Sequence, residues 1–242
     1  KNLGMQGDLT TNGTLLRPED IKFLVEIGWD NIFISIDGPD AETNDAVRLP
    51  MGTFQRVINT IEAFIRCKQS LHKELPRIIF HCVINNINFT RLVDMVEFAL
   101  TYKMSGALFD FIGRLTEHCD PLLLDIKQNA TVLMAQIQKA REIADSHGLW
   151  NNLSSVCSIV EANSTVSPHA PVPPRTAEIS VERDEAFGWL QFPCYQPWYH
   201  IFVSTSGNIS PCCLMMPSYD NIKEKSLRDV WLGGSLEQVR ND

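Results

Sequence analysis

The chain has 242 residues, 44% of them hydrophobic, and a formal net charge of −8. That is enough for one α/β domain with a small appendage, and the acidic balance argues against nucleic acid as the main partner. No apolar run is long enough to span a bilayer, so no membrane partner is expected. Seven cysteines with no secretory signal ahead of them read as reduced thiols or metal ligands of a cytoplasmic protein.

Residues 8–11 are β-compatible and run into the turn signal Asn12-Gly13. Pro18 opens a helix over Glu19 to Ile27, and Gly28 closes it. Ile32 to Ile36 is a short apolar strand stopped by Asp37-Gly38. A helix begins near Thr53, where Phe54, Val57, Ile58, Ile61, Phe64 and Ile65 recur at helical spacing. RIIFHCVI (77–84) is nearly continuous in apolar residues, as a strand buried on both faces would be. Leu92, Val93, Val96, Ala99 and Leu100 mark another helix, and ALFDFI (107–112) another strand. A long helix runs from Leu124 to His147, before Gly148. Four strands alternating with helices predict right-handed βαβ units and a parallel sheet.

From Asn151 to Pro193 the pattern breaks, and SPHAPVPPR (167–175) reads as a linker. The final stretch opens with CYQPWYHIFVSTSGNISPCC, an apolar strand and a Ser-Gly-Asn turn flanked by thiols. SLRDVW and SLEQVR follow, each beginning with Ser as an N-cap. In SLRDVW, Leu227, Val230 and Trp231 are expected to pack on the hairpin. The organisation is an α/β unit over 1–150, an irregular segment over 151–193 and a small domain over 194–242.

In parallel α/β proteins, chemistry sits at the C-terminal ends of the strands. Those ends carry Asn12 and Gly13, Ser35 and Asp37, Asn85, and Asp110. Ser35 and Asp37 are two apart and share one strand face, which suggests a wet pocket. Arg48 either folds back to clamp a carboxylate in bidentate fashion or pairs at the surface with Asp45 or Glu42. His81, inside a strand, reads as a hydrogen-bonded core histidine, and Cys67 and Cys82 as packing residues. A hairpin brings its ends together, so Cys194 and Cys212 either face one metal centre or pack as small apolar residues; Cys213 has the same two options. Gly207 supplies the positive φ such a turn can need.

TTNGTLL, then IFISIDGPDAETNDAVR followed by GTF, resembles the radical S-adenosylmethionine (radical SAM) enzymes. Cys194, twelve residues, Gly207, four residues and Cys212 resemble the start of a SPASM or twitch domain. The resemblance implies the third to sixth strands of an incomplete (βα) partial TIM-type barrel, with a hairpin-and-helix extension that holds an auxiliary iron–sulfur cluster. It implies S-adenosylmethionine and a [4Fe–4S] cluster as cofactors, an electron donor, and a peptide, protein or small molecule as substrate. By position, Ser35 and Arg48 match the residues that hold the methionine carboxylate. Asp37 matches the acidic residue of the same strand, Asn12 and Gly13 the neighbouring turn, and Asn85 a later strand of the pocket. Cys194 and Cys212 match the auxiliary-cluster ligands, and Cys213 either joins them or packs. The family's CxxxCxxC loop is not found in these residues, and its ligands are expected upstream of Lys1. A chain lacking those first units is expected to self-associate through an open sheet edge. The other reading is a non-catalytic α/β binding module with a zinc-binding or metal-free hairpin.

Overall fold

The computed structural model describes residues 6–113, 117–165, 198, 200–211, 220–233, 236, 237 and 240. Five parallel strands stand side by side in chain order: β1 (Asp8–Thr11), β2 (Asn31–Ser35), β3 (Arg77–Ile84), β4 (Gly106–Phe111) and β5 (Trp150–Asn151). The register runs Thr11 to Ile34, Ile34 to Phe80 and Phe80 to Ala107. It follows from alternation, because successive side chains on a strand point to opposite faces. Ile32, Ile34, Ile36, Ile78, Phe80, Cys82, Ile84, Ala107 and Phe109 are all buried on one face. Phe80 and Phe109 meet edge to face, 5.2 Å between ring centroids. Each such side chain contributes on the order of 1.5–3 kcal/mol when fully buried.

Helices α1 (Pro18–Glu26), α3 (Thr53–Ser70), α4 (Leu92–Thr101), α5 (Ile126–Ser146) and α6 (Leu153–Thr165) share that core. Val25, Ile61, Phe64, Met95, Ile137 and Val156 are among their contributions. The other face is wet: Phe33, Ser35, His81, Val83 and Leu108 are half-buried, and Asp110 is exposed. RIIFHCVI is thus buried on one face and only partly on the other, which corrects the two-sided expectation.

Three elements differ from the sequence reading. α2 (Ala41–Arg48) forms where the sequence reading named no element; its buried residues are Thr43, Asn44 and Asp45, so no apolar stripe announces it. Asp40 caps it, accepting from the Thr43 N–H at 2.8 Å. α6 occupies the first part of the segment expected to be irregular, carried by a thin stripe of Leu153, Val156 and Val160 between serines. β5 is a fifth strand of only two residues, too short to show periodicity.

The chain divides into two compact units, Lys1–Ala170 and Pro171–Asp242. In the second, β6 (Phe202–Val203), β7 (Asn208–Ser210) and β8 (Asp220–Asn221) form an antiparallel sheet, adding a third strand to the expected hairpin. Gly207 sits in its turn at φ +90°, a region L side chains rarely adopt. Ser226 caps α7 (Leu227–Leu232), accepting from the Asp229 N–H at 3.2 Å. Val230 packs with Ile209 and Leu236, and Trp231 lies partly against them. Leu227, the first residue of α7, is exposed instead. SLEQVR lies partly outside the described residues.

Gly38, just past β2, is where the α2 backbone comes closest: an added Cβ would stand 2.4 Å from the Asn44 nitrogen and 2.6 Å from Thr43 Cβ. Gly38→Ala is expected to destabilise the first unit by about 1–3 kcal/mol. Urea unfolding followed by circular dichroism checks this, and a wild-type midpoint contradicts the close packing.

Candidate functional site

The C-terminal ends of β2, β3 and β4 border a cleft of about 470 Å³, whose walls include Asp37, Arg48, Val83, Asn85, Phe111 and Cys119. Three residues singled out in the sequence, Asp37, Arg48 and Asn85, therefore meet at one place.

Asp37 is 3% exposed. Its Oδ1 accepts the Val83 N–H at 2.7 Å, and its own N–H donates to Asn44 Oδ1 at 3.0 Å. One residue thus joins the end of β2 to β3 and to α2. Arg48, the last residue of α2, brings Nε within 2.7 Å of Asp37 Oδ2. The two form an ion pair with little access to water. Arg48 pairs with neither Asp45 nor Glu42. Asp45 faces the start of α3, accepting from Gly52 N–H at 2.6 Å and Phe54 N–H at 2.8 Å. That carboxylate fixes α2 against α3 and so fixes where Arg48 stands.

Burial pushes the Asp37 carboxyl above its ordinary value; the Arg48 guanidinium and the Val83 N–H pull it back only in part. Asp45 goes the other way. Burial raises it, but the Phe54 and Gly52 N–H groups outweigh that and hold it below the usual carboxylate range.

Asn85 is fully buried. Its Nδ2 donates to the Val83 carbonyl at 2.9 Å and its Oδ1 accepts from Ile87 N–H at 2.8 Å. Asn88 completes the knot: its Oδ1 accepts from Asn85 N–H at 2.8 Å, and its Nδ2 donates to the carbonyls of Asp37 and Val83. Asn85 thus shapes the cleft wall. Asn88 was missed by sequence reasoning; its spacing three after Asn85 is the one available signal.

Ser35 lies on the wet face beside His81, its partner in the parallel register. His81 Nε2 is 2.7 Å from Asp110 Oδ2, and the Asp110 side chain is 59% exposed. His81 is therefore not a core histidine. It belongs to a carboxylate–imidazole pair on the face that opens toward the cleft's strand ends. Asn12 and Gly13 lie at the end of the edge strand β1, outside the cleft wall. Asn12 Oδ1 accepts from the Thr14 N–H at 3.1 Å, and Gly13, at φ +71°, has its carbonyl held by Thr60 Oγ1 at 2.7 Å. Cys119 enters the wall from a 3₁₀ turn over Glu117–Leu122, a placement no local pattern reveals. Cys82 is buried in the core, its thiol pushed well up by burial, and packs as expected.

Cys194, Cys212 and Cys213 lie outside the described residues. His200 is described: its Nδ1 is 2.8 Å from the Pro211 carbonyl, one residue before Cys212, so Nδ1 carries the proton. Among the described residues no group of three or more His, Cys, Asp or Glu side chains suits a metal ion.

A parallel α/β sheet with a polar cleft at its strand ends, followed by a Cys-flanked hairpin, defines a class of cofactor-binding partial barrels. Residues 4–99 match the radical SAM superfamily model, and residues 194–242 match that of the SPASM iron–sulfur cluster-binding domain. The chain is a radical SAM protein with a SPASM domain, families that imply S-adenosylmethionine and [4Fe–4S] clusters. It is 25% identical to an AdoMet-dependent heme synthase of Methanosarcina barkeri, across 94% of this chain and 60% of that protein. It is also 25% identical to the sporulation killing factor maturation protein SkfB of Bacillus subtilis, across 95% of this chain and 47% of SkfB. The chain thus spans about half to three-fifths of these relatives' length. Its fold resembles that of Streptococcus suis SuiB bound to S-adenosylmethionine, with TM-score 0.61 and 15% identity over 100% of this chain and 51% of SuiB. It resembles anSMEcpe with bound AdoMet to the same degree, TM-score 0.61 and 15% identity over 96% of this chain and 58% of the other. The fold is that of an α/β partial barrel.

The raised Asp37 pKa gives a signed expectation. A carboxyl that binds its proton more tightly when folded contributes stability at low pH, and that contribution is lost as pH rises through the raised value. Asp37→Asn should therefore gain in Tm relative to wild type as pH rises above the ordinary carboxylate value, about 4. A relative loss over that range, in paired calorimetric scans, contradicts burial as the dominant influence.

Proposed function

We propose that this chain supplies the S-adenosylmethionine-holding wall and the auxiliary-cluster domain of a radical SAM enzyme that modifies a peptide, protein or small molecule. The observation that carries the reading is the meeting of Asp37, Arg48 and Asn85 around one cleft at the strand ends. The residues fit the cofactor chemically. Arg48 stands on the cleft wall, and a guanidinium has further N–H donors beyond the Nε that faces Asp37, suited to the methionine carboxylate. Asp37 keeps that guanidinium at the cleft wall, and Ser35 presents a hydroxyl on the same strand face. When bound beside a reduced [4Fe–4S] cluster, S-adenosylmethionine supplies the 5′-deoxyadenosyl radical that takes a hydrogen atom from substrate.

The remaining work of these residues is positional. Asn85 and Asn88 hold the β3 loop, and Asp45 holds α2, so the wall keeps its form without rearrangement. His81 and Asp110 give the wet face a polar pair able to meet a hydrogen-bonding substrate. No CxxxCxxC occurs in residues 1–242, so the catalytic cluster's ligands are not assigned to them. Cys194, Cys212 and Cys213 are assigned to the auxiliary cluster, whose soft iron suits thiolates.

A peptide substrate is supported by what the relatives are named for. SkfB is a maturation protein, SuiB has been seen with its precursor peptide SuiA, and anSMEcpe with the Kp18Cys peptide. The heme synthases keep a small-molecule substrate in view. An electron donor completes the partners. Among the described residues no helix is long and apolar enough to cross a membrane.

The natural protein, reconstituted anaerobically with iron and sulfide, should be brown and release 5′-deoxyadenosine on addition of dithionite. Replacing Cys194 and Cys212 by Ala together should remove about four iron atoms per chain, the content of one [4Fe–4S] cluster. Colourless protein, or iron content unchanged by the double substitution, contradicts the assignment.

A further inference from the structure

At the other pole of the sheet, where β3 begins and α3 and α4 end, lies a second cavity of about 520 Å³. It shares no wall residue with the Asp37 cleft. Ile61, Ile65, Ile78 and Tyr102 form its apolar part. Lys68, His72, Lys73 and Lys103 stand around it, with Glu74 as the one acidic group. Three lysines against one glutamate is a local reversal in a chain of net charge −8. Among the described residues none of the three lysines forms an ion pair; Lys68 Nζ donates to the Pro76 carbonyl at 2.9 Å.

The way the helices end points the same way. α1 and α5 each stop at a glycine in the left-handed region, Gly28 at φ +63° and Gly148 at φ +64°. Their closing bonds are Trp29 N–H to Leu24 O and Leu149 N–H to Ala144 O. α3 and α4 close with the same pattern, Lys73 N–H to Lys68 O and Met104 N–H to Ala99 O, both 2.9 Å. Their left-handed residues are not glycines. They are His72 at φ +52° and Lys103 at φ +50°. An L side chain is sterically disfavoured there, and glycine is the usual occupant. Both exceptions are basic, and both stand on this one cavity.

We propose that this cavity binds a small organic anion: a phosphate, sulfonate or carboxylate carried on a flat apolar body. The ammonium groups of Lys73 and Lys103, with His72, take the anionic end. The isoleucines and the Tyr102 ring take the body. The site is independent of the strand-end cleft, and its test needs no iron–sulfur cluster.

The test is calorimetric titration of the full protein at low salt with 1-naphthyl phosphate, with inorganic phosphate and 2-naphthol as separate probes. The aromatic phosphate should bind, and more tightly than either part alone. His72→Gly with Lys103→Gly removes both side chains while easing the backbone, so Tm should hold or rise as affinity falls by at least about tenfold. Lys73→Met, at an exposed position with an ordinary φ, should weaken binding independently of any backbone effect. Absence of binding by wild type, or affinity unchanged in these variants, overturns the proposal. Inorganic phosphate binding as tightly as the aromatic phosphate overturns the role given to the apolar wall.

Discussion

A carboxylate with almost no access to water must find its partners within the protein, and Asp37 finds them on one strand and one helix. The Val83 N–H, the Asn44 carboxamide and the Arg48 guanidinium converge on this one residue. Leaving any buried polar group here unmade would cost about 1–3 kcal/mol. The strand ends therefore have one low-energy arrangement. That arrangement places a cation at the wall of a cleft.

The polar knot continues outward from Asp37. Asn88 ties its carbonyl to that of Val83, Asn85 fixes the loop beyond, and Asp45 pins α2 to the first N–H groups of α3. These groups occupy the end of a sheet whose other face is dry and apolar. The division of labour is physical. Ile32, Ile34, Ile36, Phe80 and Phe109 stabilise the fold through burial, whereas the polar residues specify where the pieces meet. The bonds that support this cleft wall are already made in the structure.

Much of this was legible in the sequence because the dry face writes a period. Ile32, Ile34 and Ile36 announce β2, and Val57, Ile61 and Phe64 announce α3, through spacing alone. Polar residues at strand ends mark the location of the cleft, and Asp37 and Asn85 were found that way, whereas Arg48 was singled out as a cation able to fold back on a carboxylate. What stayed hidden lacks a period or depends on register. α2 buries Thr43, Asn44 and Asp45, so its inward face looks like a loop. The His81–Asp110 pair exists only because β3 and β4 align Val83 with Asp110, which no single-strand pattern encodes. Cys119 reaches the cleft from a short 3₁₀ turn that has no hydrophobic period. The left-handed His72 and Lys103 are equally silent, since nothing local distinguishes them from ordinary surface cations.

The central claim is that Arg48, held by Asp37, receives the carboxylate of S-adenosylmethionine. Calorimetric titration of S-adenosylmethionine into the reconstituted natural protein, wild type against Arg48→Ala at matched iron content, addresses it most directly. The account predicts affinity lower by roughly 10- to 150-fold in the variant, equivalent to about 1.5–3 kcal/mol for a hydrogen bond to a charged group. Equal affinity in the two proteins, with the variant folded, contradicts it.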